Sequence, residues 1–150
     1  MKKGFTLIEI LIVVVIIGIL TSIVLVGVGG FRERARDTKR VADLRQVQGA
    51  LEIYYSKGNA YPSAATWGDL SIILAPSIIP TMPKDPLNDA THAYTYVSDG
   101  AQHYVLEATL ETKGNKVLDD DIDGSAFQGL SVGCGIAEEN DDNTEYCVGM

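Results

Sequence analysis

The hydrophobic positions of the first sixty residues follow a pattern that is typical of one long helix. From Ile10 through Gly30, 21 consecutive residues carry no charge, and as a helix they would measure about 31 Å, the thickness of a bilayer's hydrocarbon core. Glycines 27, 29 and 30 either permit close helix packing or make a weak spot that can stretch or melt. Beyond them, apolar residues at spacings of three and four form one stripe: Val41, Leu44, Val47, Leu51 and Tyr54. Gly58-Asn59 is a stop signal, so we predict one helix from about Thr6 to Ser56, with a membrane-spanning first half.

The remaining positions predict shorter elements. Trp67 to Leu74 is expected to form a short helix or turn, and a proline-rich stretch follows it. Ala93–Ser98 and Gln102–Leu110 alternate between apolar and polar residues around Asp99-Gly100, which is a hairpin signal. Val117-Leu118 is expected to begin a third strand. The predicted fold class is therefore α+β, with the long N-terminal helix packed on a small antiparallel β-meander head.

The charges are divided unevenly along the chain. Residues 1–50 have a balance of +4 and residues 51–150 a balance of −12, for a net charge of −8. Together with the hydrophobic content of 46% and the single uncharged run, this distribution excludes a plain cytosolic enzyme, a disordered chain and a multi-span transporter. The acidic head disfavours nucleic-acid binding. The basic cluster from Arg32 to Arg45 has three interpretations: a solvated face near anionic headgroups, contact with the acidic head of a neighbouring subunit, or DNA binding. His92 and His103 form no catalytic constellation, so no enzyme is predicted.

The N-terminus carries the most specific motif. A short basic leader, Met1-Lys2-Lys3-Gly4, precedes Phe5-Thr6-Leu7-Ile8-Glu9 and the apolar run. A carboxylate at the beginning of a membrane segment costs several kcal/mol unless it reaches the interface or finds a partner. Thr6 and Glu9 have the spacing of a capping box, in which each side chain binds a free N–H of the first helical turn. Capping explains why the acid is tolerated, but not why a glycine and two lysines stand directly before Phe5.

Lys3-Gly4-Phe5-Thr6-Leu7-Ile8-Glu9, followed by about twenty apolar residues, resembles the class III signal of type IV pilins and pseudopilins. The resemblance implies that prepilin peptidase cuts between Gly4 and Phe5 and methylates the new Phe5 terminus. It also makes Glu9 the acid used in assembly. A cationic amine and a carboxylate that enter an apolar filament core are costly alone, and pairing between neighbouring subunits lowers that cost and fixes the register.

The resemblance also implies an organisation and a role. Residues 1–4 would be the leader peptide, 5–31 the transmembrane and filament-core half of the helix, and 32–150 the head with the second helix half. We predict a subunit of a type IV pilus-like filament, stored in the cytoplasmic membrane with its head outside. Its partners would be identical subunits, prepilin peptidase, the membrane assembly platform and, before assembly, the lipid bilayer. The basic residues after the apolar run favour the opposite orientation, with the head in the cytoplasm, by the positive-inside rule. We adopt the orientation that the family resemblance implies.

Two alternatives remain. The first is the major pseudopilin of a type II secretion system, which the step Pro83-Lys84-Asp85-Pro86 and the acidic loop favour. A pair of cysteines at positions 134 and 147 favours a pilus instead. The remote alternative is an extracytoplasmic binding domain that is tethered by a signal anchor.

The cysteines and an acidic segment are candidate sites in the head. The family resemblance implies a Cys134–Cys147 bridge, worth about 3 kcal/mol in the loop-entropy model, and two free thiols are the alternative. Asp119, Asp121 and Asp123 lie in a D-x-D-x-D-G sequence that resembles the opening of a calcium loop. An EF-hand loop that begins at Asp119 would need a glutamate at its twelfth position, and this position is Leu130. A different calcium site and a solvated acidic turn both stay open, and no other cofactor is predicted.

Overall fold

The computed structural model describes residues 4–122, 124–127, 129–134 and 144–150. Two helices come first, α1 (Leu7–Gly58) and α2 (Trp67–Leu74). After β1 (Thr95–Ser98) and β2 (Tyr104–Thr109), a 3-10 helix spans Lys116–Asp120. The last elements are β3 (Gly124–Phe127), β4 (Leu130–Cys134) and β5 (Glu145–Gly149). The α+β fold class is confirmed, and the chain divides into two compact units, Met1–Glu33 and Arg34–Met150. We call the second one the head unit.

The first unit contains the beginning of α1. Its described side chains are all exposed, and the large apolar ones from Phe5 to Leu20 are each at least 50% exposed. In the part of the chain that the structure describes, no helix is apolar over a length sufficient to cross a membrane. The membrane-spanning first half of the helix is therefore not confirmed by the structure.

Within the head unit, α1 buries the predicted apolar stripe. Val41, Leu44, Val47 and Leu51 are buried, and Tyr54 is half-buried against them. The inner face of β2 completes this main core with Tyr104, Leu106 and Ala108. Burial of each large apolar side chain stabilises the fold by about 1.5–3 kcal/mol, so this stripe is the principal apolar attachment of the helix within the head unit.

The helix ends agree with the stop and start signals. α1 ends at Gly58, and Asn59 adopts a left-handed conformation with φ of 51°, where its N–H donates to the Tyr55 carbonyl. The second helix has the predicted bounds. Its N-cap is Thr66, whose hydroxyl accepts a hydrogen bond from the Asp69 N–H.

The principal sheet has three antiparallel strands in the order β1-β2-β5. The prediction that Val117-Leu118 begins its third strand is wrong, because these residues lie in the 3-10 helix. Asn115 caps that helix by accepting from the Val117 N–H with its side chain and from the Leu118 N–H with its carbonyl. The third strand is β5 instead, which pairs with β2 from Val105↔Gly149 to Thr109↔Glu145.

A second, two-stranded sheet of β3 and β4 accompanies the first. Leu130 and Cys134 of β4 pack with Val105 of β2 and Cys147 of β5 in a smaller core. Gly149 lies where β5 passes very close to β2: a Cβ there would stand 2.2 Å from the Tyr104 carbonyl oxygen. Val105 belongs to this smaller core, whereas Tyr104, Leu106 and Ala108 belong to the main one. The two faces of β2 are therefore covered by different parts of the head.

Candidate functional site

The N-terminal motif forms the predicted capping box. Thr6 N–H and the Thr6 hydroxyl both donate to Oε2 of Glu9, each at 2.8 Å, and Glu9 N–H donates to the Thr6 hydroxyl at 3.4 Å. Both bonds to the carboxylate use the same oxygen. Oε1 of Glu9 has no hydrogen bond within the described residues, so capping leaves it able to accept another donor. Lys2 and Lys3 lie outside the described residues.

The predicted cleavage position lies just before the helix. Gly4 and Phe5 precede α1, which begins at Leu7, and the Phe5 side chain is 85% exposed. Apolar side chains continue in the same exposed state along the first turns of the helix. A contiguous apolar surface of this kind on one chain marks an interaction surface.

The two cysteines form a disulfide, as the family resemblance implied. The bridge joins Cys134 of β4 to Cys147 of β5 with their Cα atoms 5.9 Å apart, and both residues are buried. It therefore ties the two-stranded sheet covalently to the edge strand of the three-stranded sheet.

The predicted calcium ligands are only partly within the described residues, because Asp123 lies outside them. Asp119 is exposed, and Oδ2 of Asp121 accepts the Cys147 N–H at 2.9 Å. Carboxylate oxygens have the chemistry that calcium prefers. Within the described ranges, however, no group of three or more His, Cys, Asp or Glu residues is placed to hold a metal, so the calcium site stays a prediction.

A buried ion cluster around Arg40 was not predicted from the sequence. The Arg40 guanidinium is completely buried. It donates from Nε and Nη2 to the two carboxylate oxygens of Asp85, at 2.6 and 3.1 Å. From Nη1 it donates to Asp37 at 2.8 Å and to Glu111 at 2.6 Å. Arg36 completes the cluster by donating from Nε and Nη2 to Glu111. We call these five residues the Arg40 cluster.

Backbone N–H groups hold the carboxylates of the cluster in place. Oδ1 of Asp85 accepts from the N–H groups of Leu87 and Asn88, an arrangement typical of a turn that an aspartate begins. Asp37 accepts from the N–H groups of Glu111 and Thr112, both at 2.9 Å. The cluster thus connects α1 to the proline-rich step and to the residues that follow β2.

The aromatic neighbours position the proline-rich step. Nε1 of Trp67 donates to the Pro83 carbonyl at 3.1 Å, and the indole packs edge-on against Tyr94. The Tyr94 hydroxyl donates to Oδ2 of Asp43, one turn beyond Arg40 on α1. Burial, reinforced by this hydrogen bond to Asp43, raises the pKa of Tyr94. The tyrosine is therefore a neutral donor, and it extends the polar contacts along the helix.

The electrostatics of the cluster favour its ionised form. Hydrogen bonds from Arg36, followed by those from Arg40, outweigh partial burial and lower the pKa of Glu111 to about 2. Burial opposes ionisation of Asp85, but the Arg40 hydrogen bonds and two backbone N–H groups outweigh it, and its pKa lies below the usual value. The guanidinium of Arg40 has a raised pKa because its three carboxylates outweigh burial.

These contacts correct the interpretation of the basic segment. For Arg40 a solvated face is wrong, because its charge is buried among acids of its own chain. Arg36 is only partly exposed, and it forms an ion pair with Glu111. Arg34 and Arg45 are exposed, and for these the three interpretations stay predictions. The sequence signals that point to the cluster are the Asp37/Arg40 spacing of three and the acid within the proline-rich step.

The histidines have local structural roles. Nδ1 of His92 lies 3.0 Å from Asp89, and Nδ1 of His103 lies 2.8 Å from Asp99. Each aspartate also accepts backbone N–H groups of the same turn, from His92 and from His103. These pairs are turn contacts.

Comparisons with known proteins give one consistent result. Residues 1–25 match the prokaryotic N-terminal methylation motif. Type II secretion system core protein G of Klebsiella pneumoniae is 31% identical to the chain, over 99% of this chain and 96% of the relative. The protein of the same name from Vibrio cholerae is 32% identical over 77% of this chain and 84% of the relative. That of Escherichia coli is 38% identical over 53% of this chain and 54% of the relative. No solved structure matches the chain.

Proposed function

The chain belongs to the type II secretion system core protein G family, and from this membership we propose that it is the major subunit of a periplasmic pseudopilus. The predicted membership of the pilin and pseudopilin family is confirmed. Within that family the relatives favour the pseudopilin, which was the alternative in the sequence analysis, over the pilus. The observation that carries the proposal is the similarity to the Klebsiella pneumoniae relative along nearly the whole of both chains.

Processing is the first step of the proposed function. Prepilin peptidase would cut between Gly4 and Phe5 and methylate the Phe5 amine. Two observations support this: the match to the methylation motif over residues 1–25, and the position of Gly4 and Phe5 before the first helical residue. The cleavage site lies outside regular secondary structure.

Assembly is the second step. The new amine of Phe5 would pair with Glu9 of a neighbouring subunit as both enter the filament core. The capping box supports this proposal, because it uses Oε2 of Glu9 and leaves Oε1 for an incoming ammonium group. A charge-assisted bond of this kind is shorter and stronger than a neutral one. The exposed apolar side chains of the first helical turns would be covered by lipid before assembly and by neighbouring subunits afterwards.

Membrane storage, a periplasmic head and the assembly platform complete the proposal. Residues 5–31 would form the membrane and filament-core part, and residues 32–150 the head. Calcium binding by the segment 119–123 is proposed as an additional property, supported by the oxygen chemistry of Asp119 and Asp121. The role of the subunit is structural, and no catalytic step is assigned to it.

Complementation tests the function. Host cells that lack this chain should fail to secrete the substrates of the type II system, and a plasmid copy should restore secretion. Glu9→Ala should leave a membrane-inserted subunit that does not restore it, whereas Glu33→Ala, a matched change at an exposed acid, should restore it. Normal secretion in the deletion strain, together with loss of surface filaments, would refute the pseudopilin and establish the pilus. The disulfide is the one observation that favours that second candidate.

A further inference from the structure

The burial of α1 begins with charged residues rather than with apolar ones. All described side chains from Phe5 to Ala35 are exposed, and the first buried residues of the helix are Asp37 and Arg40. The apolar stripe begins only afterwards, at Val41. In the direction of the chain, the ionic contacts are therefore the first that attach the helix to the rest of the head unit.

These ionic contacts differ physically from the apolar contacts that follow. The stabilisation from apolar burial is roughly proportional to area and has no direction of its own. The Arg40 guanidinium is held by three carboxylates, one of them through two parallel bonds. Bonds of this type require a fixed geometry, and setting register is the best-supported role of buried ion groups.

The partners of Arg40 come from distant parts of the chain. Asp85 is 45 residues away and Glu111 is 71 residues away. Asp85 is held by the turn at Leu87, and the Glu111 N–H donates to Asp37, the third acid of the cluster, which lies on α1. A helix end that frays opens residue by residue until it reaches such tertiary contacts.

We propose that the Arg40 cluster is a clamp that sets the N-terminal limit of the fixed part of α1. Helix residues before Arg36 can unwind or be strained without disturbing the fold of the head. Residues from Arg40 onward remain attached to it. In a filament, a role that rests on the proposed function, the clamp would keep tension on the membrane-derived part of the helix from reaching the sheet.

Amide hydrogen exchange of the full chain in detergent micelles, read by mass spectrometry, tests the clamp. Arg40→Met removes the central charge and keeps an apolar stem of similar length. Loss of the charge lowers the stability of the whole head, so exchange accelerates throughout it, and we expect the acceleration in residues 34–43 to exceed that in residues 47–58 and β2 by about tenfold or more. The matched control is Arg45→Met, the same substitution at an exposed position of the same helix, and it should leave both regions unchanged.

Acceleration of exchange by the same factor over the whole head would overturn the clamp. It would show that the cluster stabilises the head as a whole and does not hold the beginning of α1 in particular. An unchanged exchange pattern, or an equal effect of Arg45→Met, would overturn it as well. If Arg40→Met does not fold, Asp85→Asn decides by the same comparison, because it keeps the size of the side chain and removes its charge. Secretion assays stay independent: loss of the local exchange effect refutes the clamp alone, whereas normal secretion without this chain refutes the proposed function alone.

Discussion

Removing Asp85 should destabilise the head far more than removing its charged neighbour Lys84. Asp85→Ala leaves the Arg40 guanidinium completely buried without its two-bond partner. Loss of one partner of a buried ion pair costs about 3–5 kcal/mol. Asp37 and Glu111 still contact Arg40, so we expect the lower limit, about 3 kcal/mol.

The size of the effect makes it easy to measure. At about 4 °C per kcal/mol, the Tm of the head should fall by about 12 °C. Trp67, the one tryptophan of the sequence, donates to Pro83 beside the cluster, so its fluorescence reports unfolding of this region directly. Lys84→Ala is the control: Lys84 is exposed, and its loss should change the free energy of unfolding by no more than about 0.5 kcal/mol. If the Asp85→Ala protein melts within about 2–3 °C of this control, the two free energies of unfolding differ by less than about 1 kcal/mol. That result would refute the energetic reasoning.

Four further predictions concern processing, acid stability, the disulfide and calcium. Intact mass and N-terminal sequencing of membrane-extracted protein should show a chain that begins at methylated Phe5. Acid should unfold the wild type more steeply than Glu111→Gln between about pH 4.3, the ordinary glutamate pKa, and about pH 2, the folded-state pKa. Mass mapping without reduction should find Cys134 joined to Cys147. Millimolar calcium should raise the Tm above its value in chelator, and Asp121→Ala should remove most of that rise.

The sign of the acid prediction follows from linkage. A carboxylate whose pKa is lowered by folding contributes stability that is complete above the unfolded-state pKa and is lost as the pH falls through the folded-state value. Glu111→Gln cannot titrate, so it lacks this contribution at every pH. Equal acid sensitivity of the two proteins would contradict the lowered pKa. An intact leader in assembled material, free thiols at both cysteines, or a Tm indifferent to calcium would contradict the other three.

Local signals predicted most of the helical structure. The stripe from Val41 to Tyr54 indicated which side of α1 is buried, and Gly58-Asn59 indicated its end to within two residues. The capping spacing of Thr6 and Glu9 indicated the first turn. Each of these signals depends on neighbours within four residues, where helical geometry determines which side chains meet.

Long-range pairing was predicted less well. Nothing near β2 in the sequence indicates that its second neighbour is β5 rather than the segment at Val117. The Arg40 cluster was missed for a related reason: helical periodicity treats every charged residue as solvent-facing. Arg40 is buried because Asp85 and Glu111 meet it, and only the folded chain brings them together. The family resemblance points to the proline-rich step that contains Asp85, but it does not indicate the ionic role of this residue.

The disulfide also determines how the chain tolerates change near its C-terminal strand. The residues between Cys134 and Cys147 begin and end at points that are covalently fixed, with Cα atoms 5.9 Å apart. Lengthening a closed loop is inexpensive, about 0.6 kcal/mol for each doubling, and the bridge joins β4 to β5 whatever the length of chain between the two cysteines. A peptide inserted into this ring would have both of its ends anchored by the bridge. A single proteolytic cut inside the ring would leave the last strand attached to the protein.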